Sequence, residues 1–363
     1  MSSCDEYKFL RKRHVKFLQR SLQILPFSTV TFDTSRMTVL FFTLSGLDLL
    51  NALEELGDSE KKNIIDWIYS LQIVPENDAD MRNAGFRGGS SLASCRSSEE
   101  YLHHMGSFDC GHITMTYTAL ASLIILGDDL SRVNRKAVLA HVAALQCQDG
   151  SFFSTLGGSE NDMRFMYCAA AICYILQDFS AINLDTAKKY IINSMSYEGA
   201  LGQGIYLEAH GGSSYCAIAT LHLMGQLEST LSQSQRQRLI RWLVNRQSAE
   251  GGLQGRPNKR SDTCYTFWIG ASLKLLGGID FLDLEALRQF VLSTQDPITG
   301  GLAKYPNTHP DGLHTYLGIS GLSLLKKDDL RLVDPALNIS ERAVKHLNLL
   351  HSTNCHNSVS VEC

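Results

Sequence analysis

The sequence has no run of about 18 uninterrupted apolar residues, so no segment reads as a membrane-spanning helix. An excess of positive charge is missing too. The formal net charge is -4 and the pI is near 6.3, so nothing global draws the chain to nucleic acid and any affinity for anions has to be local. The ten cysteines, scattered from Cys4 to Cys363, lack regular pairing, and no secretory leader is recognisable. They read as reduced cytoplasmic thiols, mostly buried small hydrophobes, rather than a disulfide framework. Alternating strand patterns are absent as well, which leaves an all-α chain. With 363 residues, 44% of them hydrophobic, it can bury a large core.

What the chain does have is a repeat. Five stretches align without gaps: His112 to Leu126, Asp162 to Leu176, His210 to Met224, Asp262 to Leu276 and Asp311 to Leu325, with starts 50, 48, 52 and 49 residues apart (162-112, 210-162, 262-210, 311-262). Five places after each start stands an aromatic, Tyr117, Tyr167, Tyr215, Phe267 or Tyr316, and nine places after stands a small residue, Ala121, Ala171, Ala219, Ala271 or Ser320. A weaker sixth copy begins at Arg36. Each window is apolar nearly all round, as a helix buried on both sides must be.

Between the windows lie amphipathic stretches, Lys61 to Gln72, Asn134 to Gln146, Asp185 to Ser196, Gln235 to Gln247 and Asp283 to Gln295, each with one wet face. Glycine turns follow four of them, at Asp149-Gly150, Glu198-Gly199, Gly251-Gly252 and Gly300-Gly301. The unit of about 50 residues predicts inner and outer helices in an open solenoid or a closed α/α toroid, a six-hairpin barrel. Apolarity all round the inner helices favours closure. Residues 1–351 then form one barrel domain, with an amphipathic helix over 5–25 packed on it or on a partner, and 352–363 form a polar, frayed tail.

In this register the inner helices start at one rim, and helix N-termini favour anions. Asp162 and Asp311 read as plain N-caps. Asp262 has Cys264 two residues on, and a cap side chain can swing over the first turn to meet it. His314, one repeat along, supplies an imidazole near the same rim. A carboxylate, a thiolate and an imidazole can hold Zn²⁺ with an open fourth position. For a phosphate group the candidates are His210 with Gly211 and Gly212 at one helix start, whose glycines would expose backbone N–H groups, and Arg256, Lys259 and Tyr265 around the next. An Asp-x-Asp-Asp motif, which a terpene cyclase on the same ring would need, is not present. A non-catalytic helical scaffold is the remaining rival, for which the Asp262, Cys264, His314 set would be coincidence.

At these residues the chain resembles the β subunits of protein prenyltransferases, most closely those of the geranylgeranyl type I class. The likeness runs through Phe86-Arg87-Gly88-Gly89, Gly127-Asp128-Asp129-Leu130-Ser131-Arg132-Val133-Asn134, Gly158-Ser159-Glu160-Asn161-Asp162-Met163-Arg164-Phe165, Asp262-Thr263-Cys264-Tyr265 and His309-Pro310-Asp311-Gly312-Leu313-His314. The farnesyl and Rab-type β subunits are the alternatives within that family.

The resemblance implies one Zn²⁺ held by Asp262, Cys264 and His314, and transfer of a C20 group from geranylgeranyl diphosphate to the cysteine of a C-terminal CaaX motif, as on small GTPase-like proteins, with X typically Leu. It implies a helical α subunit as obligate partner, which contributes a further Lys, and a diphosphate site formed by His210, Arg256, Lys259 and Tyr265. Farnesyltransferases carry an Asp for Mg²⁺ where Lys304 stands, so the resemblance points to charge replacement by an ammonium and no magnesium requirement. Thr38 stands where the farnesyl enzyme has a bulky Trp, leaving room for a fourth isoprene unit. By the same carry-over Phe42, Tyr117, Arg164, Trp268 and Leu313 line or flank the lipid. His112, Thr114 and Phe165 fall where the last peptide residue is read, and related chains carry a smaller residue at the Thr114 position. The chain itself ends on Cys363, without the residues a prenylation signal places after its cysteine, so it is not expected to be its own substrate.

Overall fold

A computed structural model describes residues 7–359 apart from 24, 26, 76–77, 93–109 and 159. The five aligned windows are helices almost to the residue. They are α4 (Ile113–Leu126), α6 (Met163–Ile175), α8 (Gly211–Leu223), α10 (Tyr265–Leu276) and α12 (Gly312–Leu324), and the sixth copy is α2 (Arg36–Leu49). His112, Asp162, His210 and Asp311 each cap their helix by accepting a bond from a backbone N–H of the first turn. Burial is nearly complete on these helices; from Ile113 to Ile125 only Thr114 is not buried.

Each inner helix packs on the next, and α12 packs back on α2, so the ring closes. Outside it lie α3 (Asp58–Ser70), α5 (Arg135–Leu145), α7 (Leu184–Asn193), α9 (Gln233–Val244) and α11 (Leu284–Ser293). The amphipathic pattern is plain in α7, which buries only Ala187, Tyr190 and Ile191. Strands are limited to three two-residue antiparallel pairs among the described residues.

The sixth outer position belongs to α1 (Arg11–Arg20), shorter than the helix expected over 5–25, of which residues 5, 6 and 24 lie outside the described residues. The glycine turns show why it fits. Gly150, Gly251 and Gly300 have φ of +95°, +87° and +74°, and a Cβ on them would lie 2.2 Å from Thr186 O, 2.4 Å from Ala286 O and 2.2 Å from Arg13 O. Thr186 belongs to α7, Ala286 to α11 and Arg13 to α1, so the N-terminal helix takes the place that each preceding turn gives to the next outer helix. Leu18 of α1 then seats on Gly46 of α2, where a Cβ would be 2.7 Å from Leu18 Cδ1.

A glutamine links one outer helix to the start of the next. Gln247 accepts from Asp283 N and donates to Asp283 O, both at 2.9 Å, and Gln146 does the same at Asn183 (2.8 and 3.1 Å). Gln72 reaches Asn134 N and Arg132 O, and Gln295 reaches Leu10 N and Lys8 O. Met195 stands at this place in the remaining turn, and there α9 satisfies its own Ser232 N–H through a capping box with Gln235. Gln247→Ala removes two bonds to a helix start and is expected to lower stability by about 1–2 kcal/mol in urea unfolding, with no change in the m-value.

Four of the repeat aromatics, all but Phe267, also gain a reason. Tyr117 donates to Leu337 O (2.9 Å), Tyr167 and Tyr215 to Ala336 O (3.1 and 3.3 Å), and Tyr316 to the Asn338 carbonyl. Phenols around the ring thus hold the segment between α12 and the last helix, α13 (Glu341–Val359), across the lumen from its C-terminal rim. Fully buried Asp48 on α2 anchors the same segment, paired with Arg331 (2.5 Å) and Arg342 (2.8 Å) and bonded to the Ser340 hydroxyl. The boundary expected at 352 falls inside α13. Ser352 and Thr353 keep the helix by bonding back to Asn348 O and Leu349 O, and residues 360–363 lie outside the described residues.

Candidate functional site

The chain reaches Asp262 from the glycine turn through a bridge between Gln254 and Ser261. Asp262 N then donates to Leu253 O, Thr263 N to Lys304 O (3.1 Å) and the Thr263 hydroxyl to Ala303 O (2.7 Å). Those bonds stitch the start of α10 to the loop before α12, where Leu302–Ala303 pairs with Pro310–Asp311. They also explain why α10 begins at Tyr265 rather than directly after Asp262. With Thr263 held by the neighbouring loop, Asp262 stays outside the helix and turns back to accept from Cys264 N at 3.0 Å.

His314 arrives one repeat along, on the first turn of α12. Its Nε2 lies 3.3 Å from Asp262 Oδ1, and one ligand atom each from Asp262, Cys264 and His314 lies within 4.8 Å of the others. Zinc ligands are spaced roughly 3.3–3.8 Å apart at normal bond lengths, so small side-chain rotations suffice. Asp311 was expected to be a plain cap. It does cap, accepting from His314 N at 2.9 Å, but its second oxygen also holds His314 Nδ1 at 2.6 Å, which fixes the ring and leaves Nε2 facing Asp262. The i,i+3 spacing of Asp311 and His314 was the available signal. Donor types, spacing and an oriented imidazole all fit a zinc ion.

The charges agree. Burial works against a charged Asp262, yet bonds from His314 and Cys264 hold its carboxyl below the usual range. Burial, then Asp262, push the Cys264 thiol well up. Burial opposes the charge on His314 as well, but Asp262 and Asp311 outweigh it and raise His314 to about 9. Without a cation Asp262 is therefore ionised while His314 and Cys264 keep their protons.

Beside them lies a cleft of about 340 Å³ that brings together His210, Arg256, Lys259, Tyr265 and Lys304, with Arg260 and Tyr305 in its wall. Lys304 Nζ is 3.6 Å from Asp262 Oδ2, so it touches the ligand set and the cleft at once. Gly255 sets Tyr265: a Cβ there would sit 2.1 Å from the Tyr265 ring, and without it the phenol reaches His210 Nε2 at 3.0 Å. Burial and Arg256 lower the pKa of His210. The neutral ring accepts at Nδ1 from Gly212 N and Ser213 N (3.1 and 3.3 Å), so Nε2 carries the proton and donates to Tyr265. The Tyr265 hydrogen is left to point into the cleft.

Gly211 and Gly212 correct the expectation that they offer N–H groups to an anion. Gly211 N is spent on Gly255 O at 2.8 Å and Gly212 N on His210 Nδ1, so the glycines serve close packing, with a Cβ on Gly211 only 3.0 Å from Ile269. Arg260, Tyr305 and Gly255 were not singled out from the sequence. The first directly follows Lys259 in the sequence and the second stands beside Lys304.

The residues expected around a lipid spread over five inner helices. Thr38 and Phe42 are on α2, with the Thr38 hydroxyl 3.3 Å from Met115 sulfur and Phe42 stacked 5.6 Å from Tyr316. Trp268 lies 5.0 Å from Tyr215, and Leu313 is 39% exposed at the start of α12. Tyr117 gives its hydroxyl to the lumen segment. Arg164 pairs with Asp162 (2.7 Å) and Glu160 (3.2 Å). His112, Thr114 and Phe165 do form one cluster. His112 accepts from Thr114 N (3.1 Å), its ring meets Phe165 edge-on at 6.2 Å, and Cys168 sulfur adds a contact 3.6 Å from the Thr114 hydroxyl.

A family model described as the prenyltransferase alpha-alpha toroid domain matches residues 9–339. The chain is 39% identical over 349 residues to the geranylgeranyl transferase type-1 subunit beta of Arabidopsis thaliana, spanning 93% of this chain and 91% of that protein. With the subunit of the same name from Dictyostelium discoideum it shares 40% identity over 351 residues, 94% and 97% of the two chains. The solved structure of Candida albicans protein geranylgeranyltransferase-I complexed with GGPP superposes with a TM-score of 0.82 at 26% identity, covering 94% of this chain and 99% of that one.

Proposed function

The chain belongs to the prenyltransferase α/α toroid family, among its type-1 geranylgeranyltransferase β subunits, and on that premise we propose that Asp262, Cys264 and His314 hold a catalytic zinc ion and that the cationic cleft beside them binds geranylgeranyl diphosphate. The observation that carries this reading is the convergence of the three ligand atoms within 4.8 Å, one wall away from Arg256, Lys259 and Tyr265. When bound, zinc supplies a Lewis acid with an open position at which a thiol is ionised.

The reaction joins the cysteine sulfur of a C-terminal CaaX peptide to C1 of the lipid while the C1–O bond breaks and its electron pair leaves on diphosphate. Tyr265 donates its hydrogen to the leaving oxygens, backed by the Nε2–H of His210. Arg256, Lys259 and Lys304 neutralise the charge that develops there, an arrangement fixed before the reaction begins. Lys304, held near Asp262, serves in place of a magnesium ion. Asp311 keeps His314 in its binding orientation.

Thr38 and Phe42 admit the C20 chain, whose extra isoprene unit gains ~0.8 kcal/mol per buried CH₂ over a C15 chain. His112, Thr114 and Phe165 read the last peptide residue, with Leu the favoured one, on proteins of the small GTPase type. An α subunit completes the enzyme as a heterodimer, and its Lys joins the diphosphate site. The barrel is one catalytic domain and works in the cytoplasm. No described helix is long and apolar enough to cross a membrane.

The test is co-expression with an α subunit followed by competition between C15 and C20 diphosphates on peptides ending in Leu or Met. Preference for the C20 donor and the Leu peptide is the expected result. Preferential transfer of C15 to the Met peptide would refute the assignment to type 1.

A further inference from the structure

The cleft presents four cations from this chain, and two have carboxylate partners. Arg256 Nη1 lies 2.6 Å from Glu208, and Lys304 pairs with Asp262. Lys259 and Arg260 form no ion pair among the described residues. Glu250 lines a neighbouring hollow together with Arg260 without coming within ion-pair distance of it.

Arg260 differs from Lys259 in being held. Its guanidinium carbon stands 4.3 Å from the centroid of the Tyr305 ring, and Lys304 Nζ lies 5.3 Å from the same ring. Stacking of this kind restrains a guanidinium without using its N–H groups, which lie in the plane and remain free for acceptors. A cation restrained at the wall of an anion cleft, with no carboxylate to satisfy it, is complementary to phosphate oxygens.

We propose that Arg260 is a further diphosphate-binding residue, with Tyr305 as the platform that aims it into the cleft. This rests on the reading of the cleft as the diphosphate site, and the test separates the two. In the heterodimer, dissociation constants for geranylgeranyl diphosphate and inhibition by inorganic diphosphate are measured for the wild type, Arg260→Gln, Arg260→Lys, Tyr305→Leu, the Arg260→Gln/Tyr305→Leu double variant and Arg256→Gln.

Arg260→Gln is expected to weaken both ligands roughly tenfold, with a smaller change in kcat at saturating donor. Arg260→Lys should recover part of the loss. Tyr305→Leu should weaken binding less than Arg260→Gln, and the double variant should bind no worse than Arg260→Gln alone, because the platform acts only through the guanidinium. If Arg260→Gln binds both ligands like the wild type while Arg256→Gln does not, the role of Arg260 is refuted and the cleft assignment stands. If neither variant changes binding, the cleft assignment itself fails. Loss of affinity for the lipid diphosphate alone, with inorganic diphosphate unaffected, would also overturn the proposal, because the contact would then not be to phosphate.

Discussion

Cys264→Ala heterodimer is expected to purify without zinc and to lose roughly a thousandfold or more of its activity, since a metal centre contributes several kcal/mol to the transition state. The fold should survive. Cys264 is a small, almost buried side chain, and the bond that organises this turn runs from its backbone N–H to Asp262, which the substitution leaves intact. Metal content, circular dichroism and turnover measured together check this. Normal turnover by zinc-free protein would refute the metal role of the whole set. A pH dependence follows from the same residues. Empty of metal, His314 stays protonated up to about 9 and the Cys264 thiol higher still, so loading the site releases protons and apparent zinc affinity should rise as pH increases toward 9.

Lys304→Asp is expected to lower activity about a hundredfold in the absence of magnesium and to regain much of it with millimolar Mg²⁺. The ammonium stands 3.6 Å from Asp262 at the edge of the cleft. A carboxylate there would face both Asp262 and the diphosphate, and like charges so close are relieved only by a cation between them. Lys304→Met separates charge loss from charge reversal: it should lose activity and gain nothing from magnesium. A Lys304→Asp enzyme as indifferent to Mg²⁺ as the wild type would end the charge-replacement idea. Zinc content has to be followed in both variants, because Asp262 is a neighbour of the substituted group.

The inner helices were legible in the sequence because three independent signals coincide at each one: an apolar surface all round, a polar residue at the start and a fixed interval. That register also put His314 beside Cys264 before any distance was known. The place of α1 was not legible, since an amphipathic helix has the same pattern whether its dry face meets its own ring or another protein. The partners of Gly211 and Gly212 were hidden for a different reason. Sequence shows that a glycine can expose an N–H group but not whether a neighbouring carbonyl, here Gly255 O, has already taken it. Tyr117 was read only as a wall residue. Its hydroxyl answers to Leu337, which lies outside the repeat, so no comparison among repeats could have pointed to it.

Arg13 meeting Gly300 has a consequence for how the protein comes into being. The two ends of the ring are far apart in the order of synthesis, so a growing chain emerges as a helical ribbon whose apolar inner faces have no closure until the final hairpin is translated. Asp48 waits longer still for Arg331 and Arg342, and a chain terminated before them would strand a carboxylate in the dry interior. Competence to grip a metal and a lipid phosphate is thus acquired late on the ribosome, and premature stop codons near the far end of the gene should be as harmful as those near its beginning.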